Sequence, residues 1–192
     1  LVVAKIIFPE TETSPTIGNL NLTLTTPDDN AMEALSRGAT DGMKLAANVG
    51  AMLIAFVAFT ALINGILGLI GHSIQDILGI IFKPLAWTMG VPWSEADILG
   101  QLMGEKLVLT ELIAYTDLGQ LISNNAISER TAIIASYALC GFANFASIGI
   151  QLGGISGIAP KRRKDVAKIA LKAMIAGALA SWLTATLAGI II

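Results

Sequence analysis

Three long stretches of this chain carry no charged side chain, and they decide what it can fold into. Leu45–Gly71 is 27 residues without a charge, bracketed by Lys44 and Asp76. Thr131–Pro160 is 30 residues, bracketed by Arg130 and Lys161, and Ala173–Ile192 is 20, following Lys172. At about 1.5 Å per residue the first is roughly 40 Å of helix, enough to cross a bilayer with tilt. Backbone polar groups cannot stay unpaired in lipid, so such stretches become helices unless they close a barrel, and no strand-like alternation argues for one. Composition agrees. Of the 192 residues 54% are hydrophobic and 14% charged, with a mean hydropathy of +0.72, against roughly 25% charged in soluble domains. Disorder is excluded by the same figures, and a disulfide scaffold by the single Cys140. A net charge of −2 and a pI of 5.3 argue against a nucleic-acid partner. The expected fold class is an all-α membrane protein of transmembrane helices, with a re-entrant helical hairpin and a broken helix, and its expected partner is the lipid bilayer.

Half of the 12 basic residues fall between the last two spans: Lys161, Arg162, Arg163, Lys164, Lys168 and Lys172. The positive-inside rule puts this loop in the cytoplasm and the linker Thr116–Arg130 outside. The polar stretch Pro9–Asn30 is then cytoplasmic. Leu1–Phe8 reads as the end of a helix that starts upstream; a processed N-terminus is the alternative. Four segments result: 1–27, a helix end and polar loop; 28–71, an interfacial start and long scaffold helix; 72–118, an interfacial helix and re-entrant hairpin; 119–192, a broken helix, a basic loop and a last span.

Between the first and second spans the pattern changes. Gln75–Gly90 is apolar, but Lys83-Pro84 is expected to break it, and Trp87 and Trp93 suit a membrane interface. Ser94 is a candidate cap for the next helix, with Asp97 in its first turn. Glu105, Lys106 and Glu111 sit mid-segment between apolar triplets. A continuous span would leave them in hydrocarbon, whereas a hairpin entering from outside puts them at a tip inside a cavity. The small residues Ala34, Gly38, Gly42, Ala46 and Gly50 recur every four positions on a helix expected to begin near Asp28 or Asp29. They fit close packing against an oligomer partner, a scaffold element or another part of this chain. Asn48 and Asn64 are expected to bond to neighbouring helices.

Function is sought among the polar groups at membrane depth. A carboxylate in a dry site must be paired, protonated or used. Glu111 is the candidate ligand group, and an ion pair with Lys106 is the competing reading. Asn144 and Ser147 are three apart on one face of the second span, and Gly141 with Gly149, Gly153, Gly154 and Gly157 permits a break there. Carboxylate, amide and hydroxyl together suit a ligand with hydroxyls and an amide-like edge. Phe142 is placed to stack on a flat ring. Asn144 as interhelical glue and Phe142 as core remain alternatives, His72 reads as interfacial, and Cys140 as a buried small hydrophobe. No phosphate loop, zinc spacing or nucleophile elbow appears, so the chain is not expected to be an enzyme.

Gly104-Glu105-Lys106-Leu107-Val108-Leu109-Thr110-Glu111-Leu112-Ile113-Ala114-Tyr115 resembles the signature of concentrative nucleoside transporters, Gly-x-Lys-x-x-x-Asn-Glu-Phe-Val-Ala-Tyr. Ala138–Phe145 with Ser147, Ile148 and Gly149 resembles the family's broken-helix motif, and Gly42–Asn64 its long scaffold helix. The resemblance covers about residues 28 to 192, the C-terminal half of such a transporter. It implies a cation-coupled nucleoside symporter in a bacterial inner membrane, a homotrimer with an elevator-like motion. It implies that Glu111, Asn144 and Ser147 hold the ribose hydroxyls and that Phe142 lines the pocket. No cofactor is implied. The coupling ion, sodium or proton, would bind in the other half, so no metal ligand is assigned here. A channel or receptor without coupled transport is the alternative, and a purely structural subunit a third. Thr110 for Asn is the departure that matters, because it removes an amide beside Glu111.

Overall fold

The structure is a computed structural model and describes residues 2–11 and 28–192. Among the described residues all regular structure is helical: α1 (Val2–Ile7), α2 (Ala31–Leu67), α3 (Ile74–Thr88), α4 (Ala96–Val108), α5 (Glu111–Ser123), α6 (Glu129–Leu139), α7 (Phe145–Ile158) and α8 (Arg163–Ile191). The expected cytoplasmic stretch Pro9–Asn30 lies mostly outside the described residues.

The first charge-free stretch is the second half of α2, a 37-residue helix of about 55 Å. It begins at Ala31, two or three residues later than expected, because the Asn30 side chain caps it by accepting from the Glu33 N–H at 2.9 Å. The glycines of its small-residue stripe are open: among the described residues a Cβ added at Gly38, Gly42 or Gly50 would meet nothing within 4 Å. Asn64 does bond to a neighbour, donating to Gln75 at 3.0 Å and accepting from the Ile74 N–H at 2.8 Å. Asn48 and His72 are exposed.

Two expectations about the middle of the chain fail for packing reasons. Pro84 does not break α3, which runs through it to Thr88. The helix is held by its close approach to α4, where a Cβ on Gly100 would lie 2.6 Å from the Gly79 carbonyl oxygen. Ser94 does not cap α4. The cap position belongs to Glu95, whose carboxylate accepts instead from the Ser128 N–H at 3.1 Å and hydroxyl at 2.8 Å, tying the base of the hairpin to the start of α6. The hairpin itself is present as α4 and α5, turning at Leu109-Thr110. Helix α5 continues to Ser123, so the linker to α6 is only 124–128. The basic cluster also differs. Lys161 and Arg162 lie in a short 3₁₀ turn, while Arg163, Lys164, Lys168 and Lys172 already belong to α8.

Beside the hairpin base, Arg130 of α6 donates to the Gly90 carbonyl at 2.9 Å and to the Gly189 carbonyl at 2.6 Å, joining the ends of α3, α6 and α8. There a Cβ on Gly189 would collide with the Met89 carbonyl oxygen. Trp87 and Trp93, edge to face at 6.1 Å, are both exposed near this end, as side chains at a headgroup region would be.

Helix α8 is sorted by environment. Met174, Ala178, Ser181, Trp182, Ala185 and Gly189 face the core. Leu171, Ile175, Leu179, Leu183, Leu187 and Ile190 form an exposed apolar ridge, 36–76% accessible. Water would penalise that ridge and lipid would not. Of the described helices, α8 is the one whose length and hydropathy suit a membrane span by themselves.

Candidate functional site

The second long uncharged stretch is broken where Gly141 suggests: α6 ends at Leu139 and α7 starts at Phe145. Gly141 has φ +139, a conformation rarely open to residues with a Cβ. The remaining glycines named above lie inside α7. A break inside a membrane-depth helix exposes carbonyls on one side and N–H groups on the other, and each needs a partner.

On the α6 side four carbonyls have donors. The Tyr115 hydroxyl donates to Ser136 at 2.6 Å, the Cys140 N–H to Tyr137 at 3.2 Å, the Lys106 ammonium to Ala138 at 3.0 Å, and the Ser181 hydroxyl to Cys140 at 2.6 Å. Lys106 is wholly buried. Among the described residues it forms no ion pair, so the competing reading of Glu111 as its ion-pair partner finds no support at contact distance. A cation at a helix C-terminus is favourably placed against the helix dipole.

On the α7 side Asn144 is the N-cap. Its side-chain oxygen accepts from the Ser147 N–H at 2.6 Å, and its own N–H donates to the Ser147 hydroxyl oxygen at 3.2 Å. The remaining half of the Asn144 amide, Nδ2, donates to Glu111 Oε2 at 2.8 Å. Glu111 is the first residue of α5, so its carboxylate meets the positive ends of both α5 and α7. Asn144 and Ser147 are buried and Glu111 is half-buried. Asn144 is the one hydrogen-bond donor to Glu111 among the described residues, and a carboxylate has lone pairs for several more. Thr110 caps α5, accepting from the Ile113 N–H at 3.5 Å, so the hydroxyl does the capping that an amide would do in the same place.

The structure therefore brings Glu111, Asn144 and Ser147 together and sets Phe142 apart. Phe142 is 50% exposed and lines a cleft of about 470 Å³ between α7 and α8, with Ser147, Gln151, Val166 and Met174. Ser147 belongs to both places. Cys140 corrects an expectation: it is exposed, because it sits in the break with its carbonyl held by Ser181. Sequence reasoning assigned no part to Tyr115 or Ser181. A lone serine in the last 20-residue apolar stretch was the available signal for Ser181. Tyr115, one helical turn after Glu111, gave none until α6 was placed. Among the described residues no three His, Cys, Asp or Glu side chains converge as metal ligands do.

Residues 1–189 match the family model described as the Na+ dependent nucleoside transporter C-terminus. Curated relatives that match over the whole chain include the uncharacterized transporter YutK of Bacillus subtilis, 46% identical over 200 residues, and the nucleoside permease NupC of Helicobacter pylori, 41% identical over 202. A solved structure of CNTnw in an inward-facing substrate-bound state is 45% identical, with a TM-score of 0.79, over 97% of this chain and 46% of its own. The chain spans about half the length of these relatives: 49% of YutK and 48% of NupC. The likeness to CNTnw bears out an all-α membrane fold, in which α4 and α5 form the hairpin and α6 and α7 the broken helix. On the extent of the family match and on these identities, the chain belongs to the Na+ dependent nucleoside transporters, whose C-terminal portion it carries.

Proposed function

We propose that the protein is a cation-coupled nucleoside symporter that brings nucleosides into the cytoplasm by alternating access. Glu111 and Asn144 accept and share the hydrogen bonds of the ribose hydroxyls, Ser147 adds a hydroxyl on the same helix turn, and Phe142 lines the path the nucleoside takes. One observation carries this reading: a half-buried carboxylate, oriented by Asn144 at 2.8 Å and faced by two helix N-termini, with acceptor capacity left for hydroxyl donors. The names of the relatives support it, as do the substrate-bound state of CNTnw and the sodium named in the family description. The coupling ion, sodium or proton, binds in residues outside this chain. The bacterial relatives support the bacterial inner membrane as its place. It works there as a homotrimer.

The test is uptake of radiolabelled nucleoside by proteoliposomes holding the full-length protein, under an inward sodium or proton gradient. Accumulation above the outside concentration, abolished by an ionophore that collapses the gradient, is the expected outcome. Binding or equilibration that ignores the gradient identifies a receptor or a channel instead.

A further inference from the structure

Lys106 is fully buried, yet its hydrogen-bond partner is a backbone carbonyl and not a carboxylate. The Glu111 carboxylate acts on it through space, without an ion pair or hydrogen bond, and burying an ammonium with no anion in contact is costly, so the site must return something for it. The group it faces is the open end of α6, where Ala138 O would otherwise point into the break with no N–H to meet it. Ser181 does the same two residues further on, at Cys140 O. Both crowd the kink: a Cβ on Gly141 would lie 2.5 Å from the Ser181 hydroxyl and 3.8 Å from the Lys106 ammonium. Five residues link Ala138 to the Asn144 cap, so an end of α6 free to swing would carry Asn144 with it. We propose that Lys106 is a positioning residue, with Ser181 its neutral assistant: by clamping the last carbonyls of α6 it fixes the kink and holds the Asn144 amide on Glu111 in the geometry that receives sugar hydroxyls. This rests on the nucleoside reading above.

The experiment uses the full-length protein in detergent and compares calorimetric affinity for a ribonucleoside and for its 2′,3′-dideoxy analogue with the same base. A clamp that acts through Glu111 and Asn144 affects only ligands that use them. Lys106→Met is expected to weaken the ribonucleoside by about tenfold, the scale of one lost charge-assisted hydrogen bond, and to leave the dideoxy analogue within twofold. Ser181→Ala shows the same selectivity with a smaller loss, and it alone decides if Lys106→Met does not fold. Equal losses for both ligands, or none, overturn the proposal. If the wild type does not prefer the ribonucleoside, the nucleoside reading is what fails. The clamp is then judged by hydrogen–deuterium exchange across residues 139–147, which the variants must accelerate; unchanged exchange there rejects it.

Discussion

Replacing Glu111 with Gln keeps the size of the side chain and removes its charge, and the geometry predicts two separate effects. The first is on the protein without ligand. Gln retains an oxygen that accepts from Asn144, so the 2.8 Å bond survives as a neutral one. Weakening it, and losing the favourable position at two helix N-termini, costs on the order of 1–2 kcal/mol of stability. These terms are present with and without ligand, so they cancel in binding. The second effect is on affinity, and only the bonds to incoming hydroxyls count there. Each changes from charge-assisted to neutral, a loss of about 1 kcal/mol, and two ribose hydroxyls give about 2 kcal/mol or roughly 30-fold in Kd. Titration calorimetry measures the affinity, and a thermal melt of the same sample measures the stability. A variant that binds ribonucleosides as tightly as wild type, while melting as a folded protein, removes Glu111 from the site. So does one whose loss is equal for ligands with and without hydroxyls.

Two further outcomes test the frame around the site. An alanine inside an exposed helix normally gains about 1 kcal/mol over glycine, but Gly189→Ala drives a Cβ into the Met89 carbonyl, and overpacking costs about 1–3 kcal/mol. A net loss of melting temperature is expected, and a gain would show that the ends of α3 and α8 are not in contact. At the start of α3, the Ser73 hydroxyl and N–H hold the Asp76 carboxyl below the usual carboxylate range. A carboxyl that ionises more easily folded than unfolded stabilises fully above that range and loses its effect as pH falls. Wild type therefore loses part of its stability below about pH 4, and Asp76→Asn shows a shallower acid limb in melts recorded across that interval.

Much of the architecture was legible because membrane depth leaves a clear mark on composition. The helices of the three charge-free stretches, the hairpin turning between Lys106 and Glu111, and the break at Gly141 all follow from where a charge or an unpaired carbonyl is tolerable. The errors lie where a distant contact outweighs a local preference. Pro84 stays inside α3 because Gly79 and Gly100 let α3 and α4 touch backbone to backbone. Ser94 loses the cap because the Glu95 carboxylate belongs to Ser128, 33 residues away. Cys140, apolar by type, is exposed because the kink turns it out. Glu111, Asn144 and Ser147 were identifiable as a set from their chemistry. Lys106 was visible as a charge near Glu111 and as part of the family signature; that it serves a carbonyl of α6 needed the fold.

If Glu111 receives sugar hydroxyls as proposed, the Asn144–Glu111 bond also bears on which relatives of a sugar the site tolerates. One oxygen of the carboxylate is already fixed, so an arriving alcohol meets an acceptor whose aim has been settled before contact, and little motion has to be frozen on docking. The same negative group turns away anything that brings phosphate near it. Under the proposed function, this charge disfavours nucleotides relative to nucleosides by repulsion.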